Sequence, residues 1–231
     1  MPLEYFDKIE STNDFVREHL SDYASNFHGV YSFQQTKGKG VNGHKWVSEP
    51  GKNIALTFCL TDSSITNNFL SFWVAIMVCR FIKKQVKTDA TIKWPNDILI
   101  NKKKVSGILI EKSGNTFIIG IGINVLQKEF PGVPHASSLS CFSSQKFELV
   151  ELVNDLIHEF KTNFHILNDS FFLLNTYNYH LFGKGKVMAF KINESIINGI
   201  ISKVDNDGLL QVEVENMGTK KFRIKEIEFL Y

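Results

Sequence analysis

Lys93-Trp94-Pro95-Asn96-Asp97, followed after a short turn by Lys104-Val105-Ser106-Gly107-Ile108-Leu109-Ile110-Glu111, is the stretch on which the reading of this chain depends. Pro95 fixes its own φ and biases Trp94 toward an extended conformation, so the polar groups that follow sit on a stiff bend. Lysine supplies point charge and aspartate can hold a divalent cation, so a turn carrying Lys93, Lys104 and Asp97 suits an anionic ligand. The lysine tip at 101–103 reads instead as a solvated hairpin turn. Runs at 91–94, 97–101, 104–112 and 116–125 have strand texture, with Gly114-Asn115 as a second turn, so the block belongs to a sheet of successive strands.

Outward from this block the chain alternates between helix and strand. Ser11-Thr12-Asn13-Asp14 before Phe15, Val16 and Leu20 reads as a capped short helix. Residues 29–35 alternate as a strand, 36–53 form a long loop with Gly38, Gly40, Gly43, Pro50 and Gly51, and 53–60 form the next strand. Loops of this length in a compact unit usually bind ligands or act as lids. Residues 66–86 place Phe69, Leu70, Trp73, Ile76, Met77 and Phe81 at helical spacing, with Lys83-Lys84 near the negative end of the dipole. Helices are also expected at 147–160 and 168–181. From Gly183 the texture changes to short strands at 186–192, 196–204, 208–214, 220–224 and 227–230, separated by turn signals such as Asp205-Asn206-Asp207-Gly208. The expected architecture is an α/β (α+β) body over 1–182, with a mixed, mostly antiparallel sheet, and a small all-β barrel or sandwich over 183–231.

Two further segments carry chemistry. Thr36-Lys37-Gly38-Lys39-Gly40-Val41-Asn42-Gly43-His44-Lys45-Trp46 interleaves glycines with cations and ends on an aromatic. Glycines let backbone N–H groups converge on an anion, lysines add charge, and Trp46 suits stacking on a planar base. The Walker order and the third Rossmann glycine are missing, so composition alone leaves a phosphate loop and a plain surface loop both open. Along 116–124, alternation puts Phe117, Ile119, Ile121 and Ile123 on one face and Gly120, Gly122 and Asn124 on the other. That bare face admits either a flat ligand or a tightly packed helix. A Gly-x-Ser-x-Gly elbow and a paired-carboxylate unit are both absent, so what remains is a site that stabilises phosphate charge by position.

Composition bounds the rest. The chain has 231 residues, 43% hydrophobic and 22% charged, which is ordinary for a globular protein able to bury a sizeable core. A net charge of +2 does not argue for nucleic acid. Three scattered cysteines and seven unclustered histidines give no zinc spacing, and a reducing cytosol is the natural compartment. The start, Met1-Pro2-Leu3-Glu4-Tyr5, lacks the features of a signal peptide, and no apolar run reaches membrane-spanning length.

Taken in order, these segments resemble the biotin–protein ligases (biotin–[acetyl-CoA-carboxylase] ligases). The matching residues are Ser11-Thr12-Asn13, Gln35 through Gly43 with Trp46, the 93–97 block, Lys104 with Gly107-Ile108-Leu109 and Glu111, and Gly120-x-Gly122-x-Asn124. The β-rich tail is similar to the family's SH3-like C-terminal domain. The resemblance implies that ATP, with Mg²⁺, activates biotin as biotinyl-5′-AMP, and that a lysine of a biotin carboxyl carrier domain then takes the biotinyl group. It implies that Ser11, Thr12, Asn13 and Gln35 hold the ureido end of biotin. Gly38, Lys39, Gly40 and Val41 close over it, and Lys104 with Gly107 receives its carboxylate. Trp46, Lys93, Asn96 and Asn124 serve the adenylate, and Asp97 serves the metal. Lys104, Lys39 and Asp97 are the expected catalytic groups.

Two departures stand out. Where the family's loop often reads Gly-Arg-Gly-Arg-Arg-Gly, this one has Lys39, Val41 and Asn42, and lysine keeps the charge but loses the bidentate fork. Some members also carry a DNA-binding helix-turn-helix ahead of the catalytic domain. Ser11 lies too near Met1 for one here, so the expectation is a cytoplasmic enzyme without DNA or membrane contacts, a monomer or homodimer. Two rivals differ in chemistry. A lipoate or octanoate ligase would want an apolar slot, and a non-catalytic biotin-binding module would be expected to have lost Lys104 or Asp97.

Overall fold

A computed structural model describes residues 3–61 and 66–231; Met1 and Pro2, at the head of the stretch judged unlike a signal peptide, lie outside the described residues. The first strand, β1 (Glu4–Phe6), leads to helices α1 (Thr12–Glu18) and α2 (Leu20–Tyr23), then β2 (Gly29–Ser32) and β3 (Asn53–Thr61). Helix α3 (Asn67–Val86) precedes four strands, β4 (Ala90–Lys93), β5 (Asp97–Ile100), β6 (Lys103–Ser113) and β7 (Thr116–Asn124). Helices α4 (Leu149–Thr162) and α5 (Ser170–Tyr179) follow. The chain ends in β8 (Val187–Ile192), β9 (Ser195–Val204), β10 (Leu210–Val214), β11 (Gly218–Phe222) and β12 (Glu228–Leu230).

Seven strands form one sheet in the order β1-β2-β3-β7-β6-β5-β4, and five form a second in the order β11-β10-β9-β8-β12. Only β1 runs parallel to its neighbour, which makes the large sheet mixed and mostly antiparallel, while the small one is wholly antiparallel. The turn between β5 and β6 holds Asn101 and Lys102 at φ 47° and 65°. Two consecutive positive φ values suit the tight hairpin that the lysine tip suggested.

Three readings change with the fold. The short helix that Ser11 caps ends at Glu18, and after His19, at ψ 33°, Leu20 opens a separate four-residue helix. The strand expected over 29–35 stops at Ser32, and β1, too short to carry a periodic signal, pairs beside it. Helix α3 is buried around most of its circumference rather than along a stripe. Tyr177 of α5 packs on Phe72 with ring centroids 4.6 Å apart, Phe160 of α4 packs on Trp73 at 5.1 Å, and the large sheet covers the remaining face. One continuous apolar core therefore runs from the large sheet through α3 and α5 to Phe190, Ile201 and Leu210 of the small sheet.

Polar anchors join the two sheets at the 93–97 turn. Trp94, at a cis peptide bond with Pro95, is buried and donates its indole N–H to Gly208 O at 3.0 Å. Tyr177 donates to Pro95 O at 2.9 Å, and Asn178 bonds both Val204 N and Val204 O. Trp94 thus secures the turn against the second sheet.

Candidate active site

A cavity of about 440 Å³ opens over the middle of the large sheet. Its floor follows from register. Ala55 of β3 pairs with Gly122 of β7, which pairs with Gly107 of β6, so three nearly bare positions lie side by side on one face. Trp46 lies on this row. A Cβ added to Gly122 would come 2.5 Å from the indole, and one added to Gly107 would come 3.2 Å from it. One register step away, a Cβ at Gly120 would meet Asn13 Oδ1 at 2.0 Å. Of the two uses left open, the packed helix is what Gly120 serves by admitting α1, while Gly122 admits the protein's own Trp46 ring.

At one end the lining is mostly of uncharged polar side chains. Ser11 caps α1 by accepting from Asp14 N, and Thr12 donates both its backbone N–H and its hydroxyl to Gln35 Oε1, at 2.8 and 3.1 Å. Thr57, on β3 beneath them, contacts Thr12 Oγ1 at 2.8 Å and Asn13 Oδ1 at 2.7 Å. Asn13 completes the set by donating to Glu111 at 2.9 Å. Thr12, Asn13 and Thr57 are buried, so each of these bonds spares a polar atom an uncompensated loss of water.

The other end carries charge. Lys104 Nζ stands 2.6 Å from Asp97 Oδ1, an ion pair off the angle of a hydrogen bond, and 5.8 Å from the Trp46 ring. Lys93 makes no ion pair among the described residues; its ammonium lies over the rings of Phe229 and Tyr231, at 5.4 and 4.9 Å from their centroids. Burial pulls the Lys93 pKa below the usual lysine range, and the charge of Asp97 only partly offsets this. Asn96 spends its amide on Ile108 O at 2.6 Å, so it braces the turn against β6.

The glycine-rich loop is a narrow hairpin rather than an open coil. Lys39 bridges Lys45, Gly40 N donates to His44 O at 2.7 Å, and Val41–Gly43 form a single 3₁₀ turn. Gly38 is needed where the two limbs meet, because a Cβ there would lie 2.5 Å from Trp46 O. Lys39 is tied to Asp14 at 2.8 Å, and Asp14 also pairs with Arg17, which reaches Glu111 at 2.9 Å. Burial raises the Asp14 pKa, but Lys39 and Arg17 outweigh it and hold the carboxyl below its usual range.

Of the residues to which the resemblance assigns a binding or catalytic role, all but two line this one cavity. Gly38 sits where the two limbs of the hairpin meet, and Asn124, two residues beyond Gly122 along β7, donates to Ser137 O at 3.0 Å outside the cavity lining. Residues that the sequence did not single out also reach the site: Thr57 from beneath, Arg17 from α1, and Ile224, Lys225, Glu228 and Phe229 from the small sheet and its approach. Thr57 sits in an apolar run, where one hydroxyl leaves no periodic signal. The small-sheet residues lie far away along the chain, and only folding brings them near. Among the described residues, the carboxylates lining the cavity are Asp97 and Glu228, and no cluster of three or more metal-ligating side chains occurs. One or two carboxylates suit Mg²⁺ that arrives on a triphosphate, since that ion takes most of its ligands from phosphate and water.

Residues 5–127 match the model of the Biotin/lipoate A/B protein ligase family. The bifunctional ligase/repressor BirA of Bacillus spizizenii is 29% identical over 98% of this chain and 73% of its own length. The biotin–[acetyl-CoA-carboxylase] ligase of Paracoccus denitrificans is 34% identical over 48% of this chain and 47% of its own. Among solved structures, the biotin protein ligase of Aquifex aeolicus in complex with biotin and ATP has the same fold. It superposes with a TM-score of 0.84 at 24% identity, covering 99% of this chain and 98% of that one.

Proposed function

Since this chain belongs to the biotin/lipoate A/B protein ligase family and is a ligase of the biotin–protein type, we propose that it activates biotin with ATP and passes it to a lysine of a biotin carboxyl carrier domain. In the first step a biotin carboxylate oxygen attacks the α-phosphorus of ATP. A P–O bond to the β-phosphate breaks, and biotinyl-5′-AMP and pyrophosphate result. In the second, the neutral amine of the carrier lysine attacks the acyl carbon, AMP leaves, and an amide forms. Residues 1–182 would be the catalytic unit and 183–231 the SH3-like one, working in the cytoplasm; no helix among the described residues is long and apolar enough to cross a membrane.

The observation that carries this reading is the convergence of Lys39, Lys93, Lys104 and Asp97 with Ser11, Thr12, Asn13 and Gln35 on one cavity. Two anions brought to about 4 Å repel by roughly 4 kcal/mol at an effective dielectric near 20, so their meeting needs local cations. On this reading Lys104 would receive the biotin carboxylate and the α-phosphate, and Lys93 would serve the phosphates. Asp97, with Glu228 near, would hold Mg²⁺, which supplies charge neutralisation on the triphosphate when bound. The Thr12–Gln35–Asn13 end offers donors and acceptors to a ureido ring. Trp46, already flat on the glycine row, offers its ring to adenine. The hairpin that bears Lys39 covers the reacting groups and keeps water from the anhydride.

Biotin-dependent exchange of pyrophosphate into ATP by the purified protein tests the reading. Exchange with biotin, and none with lipoate or octanoate, is the expected result. Exchange with an acyl chain alone would move the protein to the lipoate side of its family, and the polar lining of the Thr12–Gln35 end argues against that outcome.

A further inference from the structure

Lys93 is unlike the other cavity lysines. Lys39 has Asp14 and Lys104 has Asp97, whereas Lys93 has two aromatic rings and no carboxylate of its own among the described residues. Both rings come from the end of the small sheet, more than a hundred residues further along the chain. Phe229 is held in β12 opposite Phe190, with the two rings edge to face at 5.4 Å. Tyr231 is packed against Phe182 at 5.1 Å and His135 at 5.3 Å. The His135 carbonyl accepts the backbone N–H of Lys104 at 2.6 Å, so Tyr231 rests on the segment that braces the second lysine. The two rings are thus fixed by their own packing.

We propose that Phe229 and Tyr231 are positioning residues that cradle the Lys93 ammonium and direct its charge at the nucleotide phosphates. An aromatic face attracts a cation without neutralising it, whereas a carboxylate would compete with the incoming anion. The rings also strip water from one side of the ammonium, and a cation with fewer waters to shed interacts more strongly with phosphate. The lowered pKa of Lys93 agrees with that loss of water. Asp97 and Glu228, next to Phe229, act on Lys93 through their charge, but among the described residues neither is within ion-pair distance of its ammonium, and the groups in contact with it are the two rings. The small sheet thereby becomes part of the phosphate site, although it supplies no conspicuous motif. This inference rests on the proposed role of Lys93 toward ATP.

The test is a double-mutant cycle on ATP affinity, measured by calorimetry in magnesium buffer with the full chain. Phe229→Leu with Tyr231→Leu should weaken ATP about tenfold. Lys93→Met should weaken it at least as much, and the triple variant should be no weaker than Lys93→Met alone. The KM for ATP in pyrophosphate exchange should rise in parallel, with the KM for biotin within about twofold of wild type. Tyr231→Phe, which keeps the ring, should restore what Tyr231→Leu loses. If the ring losses multiply undiminished in the Lys93→Met background, or if both KM values rise together, the cradle is overturned. Should Phe229→Leu lower the melting temperature, the half-buried Tyr231→Leu completes the cycle alone. A wild-type chain that binds ATP without biotin-dependent exchange removes the functional reading and leaves the cycle to judge the cradle. One that binds no ATP overturns both.

Discussion

The two ends of the cavity are built on opposite principles. At the Thr12–Gln35 end the polar side chains are bonded to one another before any ligand arrives, in a chain from Gln35 through Thr12 and Thr57 to Asn13 and Glu111. At the Lys93–Asp97 end the groups are charged and sparsely paired, with Lys93 resting on aromatic rings and the Trp46 indole N–H buried without a partner among the described residues. A neutral ligand is recognised by hydrogen-bond geometry, and mutual bonding sets that geometry in advance. An anion is recognised by field, which is strongest where countercharges are few and water is excluded. The cavity therefore has a rigid end and an electrically strained end, and substitutions should sort by end.

The largest effect should come from Lys104→Ala, at the charged end. Biotin-dependent exchange should fall about 10²–10³-fold. The melting temperature should stay near that of wild type, because a partly exposed ion pair is worth under about 1 kcal/mol. Unchanged turnover would remove Lys104 from its role and erase the distinction between the ends.

The two floor glycines sharpen the comparison directly. In Gly122→Ala the new methyl group would displace Trp46, and loss of a stacking surface should raise the KM for ATP about tenfold, with a smaller change for biotin. In Gly120→Ala the methyl group meets Asn13, which is tied to Thr57 and Glu111. There the biotin KM should rise instead, with a stability loss of about 1–3 kcal/mol from overpacking. Matching kinetic profiles for the two variants would show that the ends are not separate.

The smallest effect belongs to Asp14→Asn, which unties Lys39. A carboxyl held below its usual range stabilises the fold at any pH above its unfolded value of about 3.8, and the contribution is lost as the pH falls through the lower folded value. At neutral pH the variant should be less stable by under about 1 kcal/mol, given that Lys39 is half exposed. Melting curves of the two proteins should converge in strong acid. A gap that survives there would mean that Asp14 acts through its shape and not its charge.

Much of this was legible in the chain and some was not, for physical reasons visible at single residues. Ser11 announced a helix start because a cap is a local bond, and Gly114-Asn115 announced a hairpin because turn geometry is local as well. Lys93, Lys104 and Asp97 could be grouped because one short hairpin carries them all. By contrast, β1 is three residues long and exists only through its pairing with β2. Helix α3 looked amphipathic because its sequence cannot report how many neighbours will cover it. Thr57, Arg17, Phe229 and Tyr231 carry no motif, and their importance lies in what they touch.

By itself the amino-acid sequence determined the order of strands and helices, the cations and bare glycines available for an anion, and the family to which they belong, because periodicity, turn chemistry and motif spacing are properties of neighbours along the chain. Only the tertiary structure decided that a row of small residues across three strands would become a floor. It also decided that Trp46 would lie on that floor, and that a small sheet far along the chain would place two rings beneath Lys93. Those arrangements depend on register and on packing between distant segments, which acquire a definite geometry only when the core closes.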